Sequence, residues 1–327
     1  MDLTIIIVNW NTQEMLKGCL ESIRQNGSFL RIEVIVVDNN SNDGSREMVE
    51  ILFPEVKLIN SGSNIGFSRA NNLGIPHADT PLVLFLNPDT LVMKGTMEGM
   101  IDFMRSHPTV GAMSCKITYP PAPTETVGAN GETQKLTLQW FPSPLTWLFR
   151  MLFLSDEMIE KFKRYLPYKD PHESGYVSLL AGACLMVRRG VLEQIGCFDE
   201  RFFMYGEDYD LCRRIKDAGW QLYYMSEVKI AHHVGGASRK TTSQFSTLMM
   251  CQSISQLMEK YYGQVGKSLY RMVVFSGSCF RLFILINLII LSGIRVLPYN
   301  KSNKLAFSKY FHMFKWSINL EKARVKE

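Results

Sequence analysis

The sequence predicts an α/β fold in which a mostly parallel central β-sheet is flanked by helices and followed by a C-terminal helical extension. Over the first 112 of 327 residues, short β-branched runs alternate with helical patterns, as is typical of a parallel sheet covered by helices. The predicted strands are apolar at nearly every position, which indicates burial on both faces. With 46% hydrophobic residues, the chain is long enough for one large domain with an appendage or for two modest domains.

The first four strands can be placed in order along the chain. We predict strands at 3–10, 32–39, 56–61 and 81–87, and helices at 13–26, 44–52 and 66–75. Ligands of parallel sheets bind at the carboxyl ends of the strands. The residues that follow each strand are therefore the first candidates for a functional site.

The pattern weakens after residue 112. A Pro/Gly/Thr-rich loop at 118–132 is long enough to be mobile or to face a substrate, and part of 141–170 is an amphipathic helix. Residues 176–219 predict a strand, a helix, a loop and a second helix, and two strands follow at 220–225 and 228–233. We therefore divide the chain into two halves of one α/β domain and an extension, with the bounds 1–112, 113–240 and 241–327.

Charge and cysteine usage limit the class of protein. A net charge of +5 is mild for this length and does not imply a nucleic-acid partner, although the last thirty or so residues are rich in Lys and Arg. Seven cysteines are scattered without a CxxC pair, which favours buried thiols in a reducing compartment. No basic region precedes the first apolar run, so we predict no secretory signal and a cytoplasmic protein.

The extension contains an uncharged thirteen-residue stretch, Leu282 to Ile294, between Arg281 and Arg295. A membrane-spanning helix needs about twenty apolar residues, and adding 272–280 nearly reaches that length only by including Arg281. Because basic residues follow, we favour docking on a membrane surface over a core helix or a dimer interface.

Polar residues cluster directly after each of the four predicted strands. For any single cluster, ordinary turn chemistry is the alternative. Four clusters at one edge of a sheet favour a polar cleft. The clusters are Asn9 and Asn11; Asp38, Asn39 and Asn40; Asn60 to Asn64; and Asn87 and Asp89.

Six motifs together resemble family 2 glycosyltransferases, which have the GT-A fold. They are TIIIVNWN, VIVVDNNSNDGS, NIGFSRANNLG, FLNPDT, FFMYGEDYDLCRRIKDAGW and HHVGGAS, in the order and spacing of the family. Their wording is similar to the bacterial rhamnosyltransferase branch. The resemblance covers about residues 1–240 and leaves the extension outside it. It implies that 1–112 binds a nucleotide-sugar and that 113–240 supplies the acceptor and catalytic half.

The donor site is expected along the strand ends. Asp38 is suited to accept hydrogen bonds from a base or ribose, with a turn role as the alternative. The resemblance implies that Asn64, Gly66 and Asn71 line the donor pocket and that Gly182 lies beneath the donor sugar. Donor-binding residues are thus expected among the following: Asn9, Asn11, Asp38, Asn64, Gly66, Asn71, Asn87 and Gly182.

The resemblance also implies a divalent cation at the stretch FLNPDTLV, where relatives carry D-x-D after the fourth strand. Asp89 is then the metal ligand, and Pro88 ends the strand and fixes the turn. Asn87 replaces the first carboxylate, so we expect a weakly held Mg²⁺ or Mn²⁺. The family pattern H-x-x-G-x-S fits His233, Gly236 and Ser238, and we favour His233 over His232 as a further ligand.

Three acidic residues, Glu207, Asp208 and Asp210, stand at the start of a predicted helix. Capping and the helix dipole account for one or two of them. The preceding FFMY would desolvate a carboxylate and raise its pKa toward a range useful for a general base. The resemblance implies that Asp208 is the base and that Glu207 orients it or binds the acceptor.

The expected reaction is inverting transfer of a sugar from a nucleotide diphosphate donor to a hydroxyl of a glycan or polyprenyl-linked glycan at the cytoplasmic membrane face. The favoured donor is dTDP-rhamnose, and UDP-linked galactofuranose or N-acetylhexosamine is the nearest rival. A sugar nucleotidyltransferase would show a Gly-rich loop bearing Lys or Arg after the first strand, where this chain has NWNTQE. A non-catalytic nucleotide-binding scaffold is the third alternative.

Overall fold

The fold is built on one twisted sheet that runs through both predicted halves of the domain. A computed structural model describes residues 2–27, 30–120, 133, 141–153, 170–233, 243–293 and 301–323. In these residues the strands are β1 (Leu3–Asn9), β2 (Ile32–Asp38), β3 (Lys57–Asn60), β4 (Leu82–Leu86), β5 (Thr90–Val92), β6 (Val110–Thr118), β7 (Gly175–Val177), β8 (Cys184–Arg188) and β9 (Gln221–His232). The α-helices are α1 (Gln13–Asn26), α2 (Ser45–Leu52), α3 (Phe67–Gly74), α4 (Thr96–Ser106), α5 (Pro144–Phe153), α6 (Arg189–Ile195), α7 (Glu207–Asp217), α8 (Ser243–Gly293) and α9 (Lys301–Ser317), and a short 3-10 helix follows α3 at Ile75–His77.

The strand order is β3-β2-β1-β4-β8-β6-β9-β5, and β7 pairs with β9. Strands β3, β2, β1 and β4 are parallel, so their carboxyl ends meet at one edge. Beyond β4 the directions are mixed, because β8 runs antiparallel to both β4 and β6. The predicted α/β sheet is confirmed, and its second half is mixed rather than parallel.

Alternating side chains of β1 serve two separate cores, as strand geometry requires. Ile5 and Ile7 belong to the core beneath α1, α2 and α4. Ile6 and Val8 belong to the core beneath α3, α6 and α7. All seven residues of β1 are buried, which explains why an apolar strand without alternation in its sequence is stable here.

The first seven predicted elements agree with the structure to within one residue at each end. Sequence reasoning missed α4, β5 and β6. It also predicted two strands where the structure has the single strand β9, whose pairing with β6 shifts register between Cys115 and Lys116. The predicted boundary at residue 112 falls inside β6, so the two halves share a sheet. All seven cysteines are free and five are buried, as predicted.

The C-terminal helices form a third core against the second half of the domain. Helix α8 is broken at Gly263, which has φ 65° and ψ −166°. Helices α5 and α9 pack on α8. Their shared core includes Tyr270 and Trp316, and it also takes in Phe202 from the loop before α7. The extension is therefore joined to the domain by an apolar core.

Candidate active site

A cavity of about 460 Å³ opens at the carboxyl edge of the parallel strands. Trp10 follows β1, Asn39 follows β2 and Asn87 follows β4, so three strand ends deliver residues to its wall. The lining residues are Val8, Trp10, Asn39, Asn64, Gly66, Phe67, Asn87, Pro88, Asp89, Gly182, Ala183, Phe203, Met204, Tyr205, Glu207, Asp208, His232, Phe245 and Ser246.

Seven of the sequence-predicted site residues meet in this cavity. They are Asn64, Gly66, Asn87, Asp89, Gly182, Glu207 and Asp208. The predicted donor and catalytic residues are thus brought together from widely separated parts of the chain. The lining does not include the other five predicted residues, which are Asn9, Asn11, Asp38, Asn71 and His233.

Asp38 differs most from its prediction, because its carboxylate is 1% exposed and is engaged in the loop that follows β2. It accepts hydrogen bonds from Asn9 Nδ2 at 3.1 Å and from the Ser41 amide at 2.9 Å, and Arg46 Nε lies 3.6 Å away. In this structure the Asp38 carboxylate lies in the loop and does not line the cavity. Its neighbour Asn39 is the one that reaches the cavity.

Asn11 and Asn71 also have local structural roles in place of the predicted cavity contacts. Asn11 adopts φ 54°, and its side-chain oxygen accepts from the amide of Asn42 at 2.8 Å. Asn71 is 1% exposed and donates to the carbonyl of Phe67 at 3.0 Å, inside helix α3. Both residues fix backbone near the cavity and contribute no wall to it.

Asn39 and Asn64 join the loops after β2 and β3. Asn39 Nδ2 donates to Asn64 Oδ1 at 2.9 Å, and Asn39 Oδ1 accepts from the amide of Ile65 at 2.9 Å. The pair is a rigid amide surface at the cavity wall. Asn39 was part of a predicted polar cluster, but nothing in its motif favoured it over Asp38.

Gly66 allows the start of α3 to touch the loop that precedes α7. Its φ of 87° favours glycine, and a Cβ at this position would lie 2.6 Å from the ring of Phe203. The amide of Phe67 donates to the carbonyl of Phe203 at 2.6 Å. This contact brings the loop before α7 against the first half of the domain.

Asp89 pairs with His232, not with the predicted His233. Strands β5 and β9 run antiparallel with Thr90 opposite His232, and His232 Nε2 lies 3.2 Å from Asp89 Oδ1. The side chain of His233, which follows the end of β9, is exposed and does not line the cavity. The amide of His233 instead donates to the carbonyl of Asp89 at 2.9 Å. Gly236 and Ser238 lie outside the described residues.

These groups have the chemistry of a weak divalent-cation site. Asp89 supplies a carboxylate that is 6% exposed, and His232 supplies an imidazole nitrogen beside it. Among the residues described, no group of three or more His, Cys, Asp or Glu is arranged to hold an ion. Mg²⁺ is commonly held by one or two carboxylates together with substrate phosphates, and imidazole suits softer divalent ions. The residues therefore fit an ion that completes its shell with ligand oxygens.

Glu207 and Asp208 form an acidic pair at the N-terminus of α7, after the left-handed residues Tyr205 and Gly206. Burial and the neighbouring charge of Asp208 raise the pKa of Glu207 to about 8. Glu207 is 9% exposed, and within the described chain its Oε2 atom has no hydrogen-bond partner. The carboxyl group of Glu207 is thus held in an environment that favours its neutral form.

Asp208 is the more accessible member of the pair. Burial raises its pKa, and hydrogen bonds from the backbone amides of Tyr209 and Gly182 act in the opposite direction. The Tyr209 amide donates to Asp208 Oδ1 at 2.8 Å. A partly desolvated carboxylate with an elevated pKa is suited to take a proton near neutral pH.

Asp210, the third acidic residue, is a structural anchor. It is fully buried and accepts from Arg214 Nε at 2.8 Å and from Tyr261 Oη at 2.8 Å. Lys260 also donates to it. Helix α7 is thereby tied to α8.

Helix α8 also contributes Phe245 and Ser246 to the cavity wall. Sequence reasoning treated the extension as separate from the site and missed both residues. No motif in residues 241–262 signals this contact, which arises from the third core.

More than half of the chain matches a known protein family. The family model described as "Glycosyl transferase family 2" matches residues 4–196. The chain is 30% identical over 221 residues to the N-acetylglucosaminyl-diphospho-decaprenol L-rhamnosyltransferase of Mycobacterium tuberculosis, covering 62% of this chain and 66% of the relative, just under two thirds. It is 26% identical over 246 residues to the rhamnosyltransferase WbbL of Escherichia coli K12, covering 70% of this chain and 83% of the relative.

A solved structure shares the fold over nearly the whole chain. The mannosyltransferase PcManGT from Pyrobaculum calidifontis, in complex with GDP-Man and Mn²⁺, has a TM-score of 0.58 at 16% sequence identity. The match covers 98% of this chain and 86% of that one. It confirms the predicted GT-A fold.

Proposed function

The chain belongs to glycosyltransferase family 2, and from this we propose that it transfers a sugar, L-rhamnose in the first instance, from a nucleotide diphosphate donor to a hydroxyl of a lipid-linked glycan. The observation that carries the proposal is the shared cavity. Asp89 with His232, and Asp208 with Glu207, face the same space of about 460 Å³.

The choice of sugar and acceptor rests on the relatives. Two of the similar proteins are rhamnosyltransferases, and the name of the mycobacterial one states a decaprenol-linked acceptor. A dTDP-linked rhamnose is therefore the first donor to test. UDP-linked galactofuranose and UDP-linked N-acetylhexosamine are the second candidates, because the amide surface of Asn39 and Asn64 can bond either base.

In the proposed step, Asp208 accepts the proton of the acceptor hydroxyl. The acceptor oxygen forms a bond to C1 of the sugar from the face opposite the diphosphate, and the C1–O bond to phosphate breaks with its electron pair leaving on the nucleotide. The configuration at C1 is inverted. The bonds from Tyr209 and Gly182 hold the carboxylate of Asp208 in place during this transfer.

Glu207 has a different role in the proposal. Because burial and the charge of Asp208 raise its pKa to about 8, it is protonated at neutral pH and can donate a hydrogen bond to the acceptor. Asp89, His232 and the substrate phosphates would hold a Mg²⁺ or Mn²⁺ ion. Such an ion would neutralise charge that develops on the departing diphosphate.

Two rival functions share parts of this site. A sugar nucleotidyltransferase would bind a nucleoside triphosphate and a sugar 1-phosphate and release pyrophosphate. A non-catalytic scaffold would bind nucleotide and transfer nothing. Two adjacent acids with raised pKa values that line one cavity favour an enzyme over a scaffold, since perturbed pKa values cluster at functional sites.

The test combines binding and turnover. We expect dTDP-rhamnose with Mg²⁺ or Mn²⁺ to raise the thermal midpoint by a few degrees at saturating concentration. Replacing the cavity residue Asn87 by Ala should reduce that shift, whereas Asn42→Ala, at an exposed position outside the cavity, should not. Incubation with donor and a polyprenyl diphosphate sugar should then release nucleoside diphosphate.

Three outcomes would contradict the proposal. If no nucleotide-sugar stabilises the protein with either metal ion, the donor site is refuted. Release of pyrophosphate from a triphosphate and a sugar 1-phosphate would support the nucleotidyltransferase. Donor binding without transfer to any hydroxyl acceptor would support the scaffold.

A further inference from the structure

The second half of α8 carries an exposed apolar stripe on a helix that is otherwise packed against the protein. Beyond the break at Gly263, the exposed large apolar side chains include six that follow one face of the helix and are between 42% and 67% exposed. We call these residues the α8 stripe: Met272, Phe275, Phe280, Phe283, Ile286 and Ile290. At about 1.5 Å per residue, 272–291 is about 30 Å long. Exposed apolar surface on this scale marks an interaction site.

The opposite side of the same helix is covered by protein. Val274 and Leu285 are buried, and Gly277 lies so close to α5 that a Cβ there would be 2.7 Å from Cβ of Met151. Helix α9 also packs on this covered side, with the ring centres of Tyr270 and Trp316 6.0 Å apart. The helix therefore has one face for the protein and one face without a described protein partner.

The one charged residue between 272 and 291, Arg281, is turned away from the stripe. Its Nε donates to the carbonyl of Met151 at 2.9 Å, and its guanidinium lies 6.0 Å from the ring centre of Tyr310. The exposed face is thus uncharged along its length. Among the described helices, only Gln244–Leu291 is long and apolar enough to cross a membrane, and 22% of its most apolar 18 residues is buried.

The charge of the surrounding residues indicates which kind of partner binds the α8 stripe. Residues 260–320 contain nine Lys or Arg and no Asp or Glu, although the whole chain has a net charge of only +5. The basic residues include the exposed Lys309 and the half-buried Lys315 on α9, which packs along α8. An apolar helix face within a positively charged segment fits a lipid bilayer, which has an apolar interior and negatively charged headgroups.

We propose that the α8 stripe inserts into the surface of an anionic lipid bilayer, with Lys309 and Lys315 of α9 contacting the lipid headgroups. A crossing helix is disfavoured because α5 and α9 cover one side of α8 and Arg281 lies within the apolar segment. A second copy of the chain is disfavoured because a two-fold interface joins identical patches and would set these like charges against each other.

Vesicle flotation with the full-length protein and no sugar donor tests the proposal, so its outcome does not depend on the reaction proposed above. We expect the protein to float with vesicles that contain about one third phosphatidylglycerol, and less with phosphatidylcholine alone. Sodium chloride at about 0.5 M should weaken flotation, because it screens the headgroup attraction.

The double substitution Phe283→Glu and Ile290→Glu places charge on two stripe residues that are 67% and 57% exposed. We expect it to reduce the floated fraction about tenfold or more, since each exposed apolar side chain contributes to insertion. A matched control is Ile51→Glu with Leu52→Glu on α2, where the side chains are 75% and 42% exposed and lie outside the extension. The control should float as the unaltered protein does, and both should keep the thermal midpoint.

Defined results would overturn the proposal. Flotation of the Phe283→Glu, Ile290→Glu protein equal to that of the control would show that the stripe does not bind lipid. A protein that floats with neither vesicle but is a dimer in solution, and becomes monomeric on this double substitution, would assign the stripe to a second copy. Equal flotation with both vesicle types at both salt concentrations would refute the anionic surface.

Discussion

The imidazole Nε2 of His232 lies 3.2 Å from the carboxylate Oδ1 of Asp89. This contact distinguishes two adjacent histidines, since the side chain of His233 is exposed outside the cavity. We expect His232→Ala to weaken metal-dependent donor binding by about tenfold or more, as is typical when a group beside a metal ion is lost. His233→Ala is the matched control and should leave binding within about twofold. Isothermal titration with nucleotide-sugar, with and without EDTA, measures both.

Asp208→Asn tests the assignment of the base. The amide keeps the size of the side chain and its contact with the Tyr209 amide but cannot accept the acceptor proton. Transfer should fall about 10²–10⁴-fold, the usual contribution of a general base, while donor affinity stays within about threefold. Retention of transfer to within about tenfold would mean that another group takes the proton.

Glu207→Gln should change how stability depends on pH. Burial and the charge of Asp208 raise the pKa of Glu207 from 4.5 to about 8, so between these values the folded protein holds a proton that the unfolded chain releases. The free energy of unfolding contributed by this group therefore falls as pH rises from 4.5 to about 8. Glutamine stays neutral, so the thermal midpoint of Glu207→Gln relative to the unaltered protein should rise by several degrees between pH 5 and pH 8.5.

The control for this experiment is Glu50→Gln on the exposed face of α2. Its midpoint should follow the pH dependence of the unaltered protein. If the difference in thermal midpoint between Glu207→Gln and the unaltered protein were constant across the pH range, the raised pKa of Glu207 would be refuted.

Lys260→Met should loosen the attachment of α8 to the catalytic helix. Lys260 Nζ contacts Asp199 at 2.7 Å and also donates to Asp210, which is fully buried. Removing the cation leaves a buried carboxylate with one partner fewer, and we expect a loss of about 3 kcal/mol in the free energy of unfolding by urea titration.

Lys267→Met is the matched control for that loss. Lys267 and Glu259 are 2.8 Å apart, but their side chains are 33% and 34% exposed, so water screens the pair. The expected loss is much smaller than that of Lys260→Met. Equal losses for the two variants would mean that the contacts of Lys260 do not stabilise the domain.

Gly66→Ala should damage the site more than a similar change elsewhere. Its Cβ would meet the Phe203 ring at 2.6 Å, in addition to the strain of a φ of 87°. Gly95 has φ 79° and no atom within 4 Å of the added carbon, so Gly95→Ala reports strain alone. We expect Gly66→Ala to abolish the donor-induced thermal shift and Gly95→Ala to keep it. Loss in both, or in neither, would contradict the role of the contact between Gly66 and Phe203.

The parallel part of the fold was predictable because its signals are local. Each apolar strand is followed at once by polar loop residues and then by a helix, so β1 to β4 and α1 to α3 could be placed to within a residue. Strand β6 was not predicted, because only a weak turn signal separates it from α4. Its pairing partners β8 and β9 also lie far along the sequence. Such pairings are fixed by tertiary contacts and leave little trace in a single sequence.

The site residues also differ in how far local sequence signals could predict them. Asp89, Glu207 and Asp208 were identified because each stands in a motif whose chemistry calls for a carboxylate at that position. Asp38 was predicted in preference to Asn39, whereas Asn39 lines the cavity, because the loop that Ser41 and Arg46 close holds the Asp38 carboxylate. His233 was likewise favoured over His232, whereas the register of β5 against β9 puts His232 beside Asp89. Which of the two binds a metal ion stays a prediction.

Phe245 and Ser246 form part of the cavity wall on α8, ahead of the break at Gly263. Residues 243–262 therefore cannot be treated as a removable tail. A shortened chain prepared for crystallography should also keep residues 263–293, because Tyr270 and Val274 there belong to the core that holds α8 against the domain. One that ends before residue 243 would lose part of the enclosure that desolvates Glu207 and Asp208, and measurements of sugar binding on it would describe a different pocket.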